Sequence, residues 1–331
     1  GRSPLEALSI GVDMAPTDVS FRCNLVTLSE EEERYEDKRI LDHSSSEIST
    51  EDAAVLMETL MQEMRRGGYE FYTGTSYRHL LIHKFGSVVE LTAPHDILTK
   101  RIGEYLPQDA VLREMMETSY RILSNHPLNL ERKAKGLNPA NSVWFWGAGT
   151  RPMLTSFEEK YHKKGAMISA VDLLKGIAVG AGLDNIIVEG ANGGLHTNYE
   201  GKANAAADAL LNHGYDFAYV HVEAPDEMGH QGSIPDKIKA IENIDQKIIG
   251  PIVGEMEDLC MDFRTLVLPD HPTPICVRTH TGNPVPYLLY DSRKKAEGMP
   301  EYSERLGNKS PLFEKEGHRL LSRLFEMDNE R

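Results

Sequence analysis

The 331-residue chain reads as an α/β protein with a mainly parallel sheet and an inserted α+β module. Three observations carry that expectation. After residue 138, short apolar strands alternate with helices, the grammar of a parallel sheet covered by helices. Between residues 17 and 138, strand-like segments mix with two strong helices, the order of an antiparallel α+β unit. The length suffices for a large core and for two domains.

The first strong helix is expected over 51–66, behind Ser49 and Thr50 as N-cap candidates. Its spacing places Val55, Leu56, Leu60, Met61 and Met64 on one apolar face, and Gly67-Gly68 ends it. Strands are expected at 69–72, 78–83 and 87–91, then a second helix over 109–123. Beyond 138 the strands are 143–146, 166–168, 186–188, 217–222 and 265–268. Helices fill 171–181, 201–212 and 235–256. Residues 297–309 read as a polar loop and 317–325 as a closing helix. No internal repeat or low-complexity tract interrupts the pattern.

Charge narrows the function. There are 36 basic and 51 acidic residues, a formal net charge of −15. Nucleic-acid binding through a general positive field is excluded on that balance. No apolar run approaches the roughly 18 residues that span a bilayer, so no membrane partner is expected. Cys23, Cys260 and Cys276 lie far apart and form no CxxC pair, which fits a reducing cytoplasm rather than a disulfide scaffold. No charged-then-apolar leader opens the text. It begins at Gly1 rather than Met, inside what reads as a loop and helix, as an expression fragment or a processed chain would.

The chemistry concentrates in the last third. Asp226 and His230 stand in Ala224-Pro225-Asp226-Glu227-Met228-Gly229-His230, and Asp270 and His271 in Leu268-Pro269-Asp270-His271. His280 opens His280-Thr281-Gly282-Asn283-Pro284-Val285-Pro286. Carboxylate and imidazole together suit zinc, manganese or iron rather than calcium. Asp226 and His230 are spaced i and i+4, so one helical turn presents both to one ion. Adjacent residues such as Asp270 and His271 point apart on a strand, but both can face one site where the strand ends. Each group follows an expected strand, the edge at which open α/β sheets bind ligands. Five ligands exceed what one tetrahedral ion takes, so two ions are expected, a pairing that serves phosphoryl transfer.

The other loops carry weaker signals. Trp146-Gly147-Ala148-Gly149-Thr150-Arg151-Pro152 has a glycine-loop look after a strand, but Pro152 replaces the third glycine and a dinucleotide site is not expected. Gly190-Ala191-Asn192-Gly193-Gly194 and Thr197-Asn198-Tyr199 either shape a pocket or only connect elements. Arg22, Arg78, His79, His83 and Arg132 are candidates for gripping a phosphate or carboxylate, with Arg22 and Arg78 foremost because both flank expected strands.

Together the three ligand-bearing runs resemble the archaeal-type cofactor-independent phosphoglycerate mutases of the alkaline phosphatase superfamily. Matching stretches at 168–177 and 197–203 and the opening Gly1-Arg2-Ser3-Pro4-Leu5-Glu6-Ala7-Leu8 extend the resemblance over essentially the whole chain. It implies an alkaline-phosphatase-like metal-binding core, residues 1–16 and 139–331, carrying an inserted substrate module at 17–138. It further implies two divalent ions, manganese or zinc, and a phosphoserine intermediate. By motif position Asp226, His230 and His280 hold one ion, and Asp270 and His271 supply part of the second site. Lys175, inside the matching 168–177 stretch, joins Arg22, Arg78 and His79 as a substrate-binding candidate.

Two departures qualify that resemblance. In the family, an aspartate and the nucleophilic serine lie upstream of the motif with which this chain begins. Neither Asp13 nor Ser3 sits in their context, so no nucleophile is assigned, the second metal site is incomplete, and these 331 residues alone are expected to be inactive. The family's Asp-Arg-Arg-Ala-Gly-Arg stretch reads here as Asp42-His43-Ser44-Ser45-Ser46-Glu47, without its arginines. Interconversion of 2- and 3-phosphoglycerate, a small phosphorylated metabolite, is therefore the leading expectation. A homoserine-kinase-like phosphotransferase, a simple phosphatase and a non-catalytic metal-binding fragment are the alternatives, and oligomeric state is left open.

Overall fold

The computed structural model describes residues 3–294 and 299–325. Gly1 and Arg2 of the opening motif, residues 297–298 of the expected polar loop and residues 326–331 lie outside them. The fold is mixed α/β, in two compact units: Gly1–Leu154 with Lys175–Gly180, and Thr155–Leu174 with Ala181–Arg331.

The first unit runs α1 (Ser3–Ser9), β1 (Val19–Leu28), β2 (Ile40–Asp42), α2 (Thr50–Glu63), β3 (Tyr69–Tyr72), β4 (Arg78–His83), α3 (Ala110–Leu123), α4 (Pro127–Ala134) and β5 (Ser142–Thr150). Its five-stranded sheet is antiparallel, in the order β2-β1-β4-β3, with β5 also pairing β1. All ten residues of β1 are buried. One face presents Phe21, Cys23 and Leu25 to a core that includes Leu56, Leu60, Leu112 and Met116 from α2 and α3. On the other, Leu80 and Ile82 of β4 meet Ala7, Val12 and Met14.

Local chemistry explains the helix starts. Ser49 caps α2 by accepting from the Asp52 amide, as its sequence suggests. Asp109 caps α3 by accepting from the Val111 and Leu112 amides. Helix α4 was not expected; Pro127 at its first turn and the His126 side chain on the Leu128 amide start it.

Three sequence expectations need correction in this unit. The 143–146 strand does not open the parallel sheet: as part of β5 it lies antiparallel along β1, pairing from Val26↔Ser142 to Val19↔Thr150. The apparent glycine loop is the continuation of that same strand. Gly147, at φ +63°, sits where the register shifts opposite Ser20 and Arg22, a bulge rather than a turn. Residues 87–91 form no strand; Val89 and Leu91 pack directly on the core, and apolar alternation there serves packing instead of pairing.

The second unit runs α5 (Phe157–Tyr161), β6 (Gly165–Ile168), α6 (Asp172–Ala181, whose Lys175–Gly180 stretch belongs to the first unit), β7 (Asp184–Asn185), α7 (Tyr199–Asn212), β8 (Phe217–Val220), α8 (Ala224–Gln231), α9 (Ile234–Ile244), α10 (Gly250–Asp258), β9 (Arg264–Val267), β10 (Leu288–Asp291), α11 (Glu304–Gly307) and α12 (Arg319–Leu324). Parallel pairing is found here, in the order β7-β6-β8. β9 pairs antiparallel with β10. The strand expected at 186–188 is displaced: the ladder is Asp184–Asn185, and after the Ile186 amide bonds the Met167 carbonyl the chain leaves for a loop. The helix expected over 235–256 is α9 and α10 joined by a π-helical turn, Asp245–Ile249. Tyr199, Ala203, Ala224, Ala240 and Ile248 form a local core that seats the start of α8. Among the described residues no helix is long and apolar enough to cross a membrane.

Candidate metal centre

All five sequence-assigned metal ligands lie in the second unit. Helix α8 starts two residues before Asp226, with Pro225 in its first turn, and closes at Gly232 in the left-handed conformation. Asp226 and His230 therefore stand one turn apart on the same face. His230 Nε2 lies 3.3 Å from Asp226 Oδ2, and His280 Nε2 lies 3.3 Å from Asp226 Oδ1. The two Nε2 atoms are 3.1 Å from each other.

The donor set fits a divalent ion. Asp226, His230 and His280 each offer one ligand atom, all within 4.8 Å of one another. Metal–ligand bonds of roughly 2.0–2.2 Å in a tetrahedral shell put neighbouring ligand atoms about 3.3–3.6 Å apart, close to the spacings found. His230 Nδ1 stands 3.0 Å from the Arg278 carbonyl. A proton on Nδ1 satisfies that carbonyl and leaves the Nε2 lone pair for the cation, the usual way a protein fixes a ligating imidazole. The Thr273 hydroxyl bonds Asp226 Oδ1, and the Thr273 carbonyl accepts from Lys237 Nζ at 2.7 Å. Gly229 makes this approach possible, because a Cβ there would stand 2.6 Å from the Thr273 carbonyl oxygen.

Asp270 and His271 are nearby but engaged with each other. His271 Nε2 is 3.0 Å from Asp270 Oδ2, and its Nδ1 is 3.9 Å from Asp226 Oδ1. The His271 ring lies against that of His280, centroids 3.7 Å apart. The structure thus gathers three of the five ligands into one compact set and leaves the other two beside it.

Sequence reasoning missed the supports. Thr273, Lys237 and Arg278 carry no recognisable motif, and only the fold brings them to α8. At the ends of β6 and β8, Ser169 Oγ is 3.3 Å from His221 Nδ1, and buried Lys202 donates to the His221 carbonyl at 2.8 Å. Burial, then the Lys202 charge, lowers the His221 pKa.

The four substrate-binding candidates lie in the first unit. Arg22 is nearly buried, its Nε 3.0 Å from Glu6 and its guanidinium 4.1 Å over the Trp146 ring. Arg78 is exposed beside Tyr77. His79 is only 2% exposed, and its Nδ1 accepts from the Gly74 amide at 3.0 Å. Burial lowers its pKa to about 4, so it is a neutral imidazole at neutral pH and supplies no positive charge. Lys175 is half-buried on α6. Of the further candidates, Arg132 pairs with Asp52 and donates to the Ser45 and Asn138 carbonyls, while His83 stacks on Tyr69.

Known proteins place this architecture. A family model described as 2,3-bisphosphoglycerate-independent phosphoglycerate mutase matches residues 1–129. A protein of that name from Methanosarcina barkeri is 50% identical over 317 residues, 93% of this chain and 77% of the relative. A Geobacter sulfurreducens protein named as a probable mutase of the same kind is 43% identical over 331 residues, 98% of this chain and 82% of its own length. Among solved structures, the cofactor-independent phosphoglycerate mutase from Thermoplasma acidophilum superposes with a TM-score of 0.61 at 25% identity, over 99% of this chain and 81% of that one. The PH0037 protein from Pyrococcus horikoshii reaches 0.76 at 26% identity, over 100% and 79%. With identity this high over most of both chains, the protein belongs to the 2,3-bisphosphoglycerate-independent phosphoglycerate mutase family.

Proposed function

We propose that this protein is an isomerase that interconverts 2- and 3-phosphoglycerate at a divalent-metal centre built on Asp226, His230 and His280. The observation that carries the reading is the close approach of those three donors on a chain whose relatives bear the mutase name. In this reading the second unit holds the metal-binding part of an alkaline-phosphatase-like core, and residues 17–138 form the substrate module. Asp270 and His271 would part from each other to serve a second ion.

Bound manganese or zinc would polarise the phosphoryl group and lower the pKa of the attacking hydroxyl. The chain's own residues set the rest. With its Nδ1 proton on the Arg278 carbonyl, His230 would offer its Nε2 lone pair to the ion. Thr273 holds the Asp226 carboxylate in place. Among the substrate candidates Arg78, exposed beside Tyr77, has a guanidinium open to an anionic substrate, whereas the Arg22 charge is already offset by Glu6. The reaction would need a serine hydroxyl to take the phosphoryl group and return it. No serine here is assigned that role; Ser3 Oγ is buried, 2.7 Å from the Gly147 carbonyl and 2.9 Å from that of Ser20. The unpaired Cys23, Cys260 and Cys276 support a reducing, cytoplasmic setting.

The test is an enolase-coupled assay with 3-phosphoglycerate and Mn²⁺, run beside ATP with homoserine and beside Mn²⁺ binding by electron paramagnetic resonance. We expect Mn²⁺ uptake that His280→Ala abolishes and, in a chain that carries the serine nucleophile, turnover of phosphoglycerate rather than phosphorylation of homoserine. Homoserine phosphorylation without mutase turnover would overturn the substrate. Mn²⁺ uptake with neither activity is the result expected of a non-catalytic metal-binding chain.

A further inference from the structure

We infer that Arg278 grips phosphoryl oxygens at the rim of the metal centre, an inference that rests on the metal reading above. The loop that carries His280 uses Arg278 twice. Its carbonyl takes the His230 Nδ1 contact at 3.0 Å. Its guanidinium lies against Gly232, the residue that ends α8 two positions past His230.

The backbone of that loop is held in place and its side chain is left free. At Gly232 a Cβ would stand 2.4 Å from Arg278 Nε and 2.7 Å from Cζ and Nη2, so the guanidinium fills the space beside the helix end that a side chain there would take. Arg278 itself has φ +56°, an uncommon conformation for a residue with a side chain. Two backbone bonds brace it there: the Arg278 amide to the Pro274 carbonyl at 2.8 Å and the Thr281 amide to Pro272 at 3.1 Å. The side chain is exposed, and no carboxylate pairs with it among the described residues. A guanidinium fork carried on a braced backbone beside a cation-binding triad is suited to a tetrahedral oxyanion, which it meets with two parallel N–H donors.

The plain structural alternative is that the cation only offsets the negative end of α8. Titration calorimetry of the 331-residue chain with inorganic phosphate, with and without Mn²⁺, separates the two. Arg278→Gly keeps the carbonyl and relieves the positive φ. We expect it to hold Mn²⁺ within about threefold of wild type and to lose about tenfold or more in phosphate affinity, the scale of charge-assisted hydrogen bonds. Arg278→Lys should recover only part of that loss, because it keeps charge without the fork. Unchanged phosphate affinity in Arg278→Gly, with only a lower Tm, would overturn the inference in favour of the helix-end role. Failure of the wild type to take up Mn²⁺ would instead overturn the metal reading, and Arg278 would still be judged by the phosphate titrations without metal.

Discussion

The hydroxyl of Thr273 is hydrogen-bonded to the carboxylate of Asp226 across a sequence separation of 47 residues. That bond fixes the only carboxylate in the compact triad, and it ties α8 to the loop leading to His280. Thr273 is 4% exposed, so its hydroxyl has no ready exchange with solvent.

Thr273→Val removes the hydroxyl and keeps the shape. Losing a partner that orients a ligand costs about 10–100-fold in metal affinity. We expect a Mn²⁺ affinity at least about tenfold weaker with the far-ultraviolet circular dichroism unchanged. Equal affinity in the two proteins would remove Thr273 from the metal centre's support.

His79 predicts a pH dependence of stability. Burial lowers its folded pKa to about 4 from the ordinary 6.5, so the unfolded chain takes the proton first. The contribution is fully present above pH 6.5 and is lost as pH falls towards 4, roughly 3 kcal/mol over the interval. In urea titrations, wild type should lose more stability than His79→Gln across that window. Parallel curves would show that the imidazole is protonated in the folded state.

Asp42 acts at lower pH. Burial opposes its ionisation, but hydrogen bonds from Asn138 and from Ser44 and Ser46 outweigh that and hold its pKa at about 2. The stability it adds is present above the unfolded pKa near 3.8 and disappears as pH falls through about 2. Because the group is largely solvent-accessible, the discounted contribution is about 1 kcal/mol. Asp42→Asn should therefore be less stable at pH 7 and approach wild type below pH 3. Its carboxylate also secures Ser45, Ser46 and Glu47, three successive residues at positive φ, so local hydrogen exchange at 44–47 should quicken in the variant.

Gly176 makes the sharpest steric prediction. A Cβ on it would stand 1.8 Å from the Leu5 carbonyl oxygen, a backbone atom that cannot swing aside. Gly176→Ala should lower stability by about 2–4 kcal/mol, measured by chemical denaturation, as overpacking against backbone does. A change below about 0.5 kcal/mol would mean that α1 is free to move away.

Legibility followed locality. The helix starting behind Ser49 and the helical turn that sets Asp226 beside His230 were readable because capping and i, i+4 spacing are written in a few adjacent residues. Val55 was misplaced on the buried face of α2; it is 49% exposed, and Met57 takes the core position in its stead. A one-residue error of rotation suffices, because Leu56 and Leu60 are compatible with either stripe. The antiparallel place of β5 was not readable, since an apolar run such as Val143-Trp144-Phe145-Trp146 suits any buried strand. Nor was the contact of Arg278 with His230, made by a backbone carbonyl that carries no signature in the side-chain code.

The central position of β1 has a consequence in time. Its residues 19–26 find their β5 partners at 142–150, and the intervening chain must come together before that edge can close. Contacts so distant in sequence carry the entropic cost of closing a long loop and slow the folding of the unit that contains them. During synthesis, β1 can meet β4 long before β5 has left the ribosome. Until then its apolar edge is open, and a chaperone that shields bare strand edges should raise the yield of folded protein.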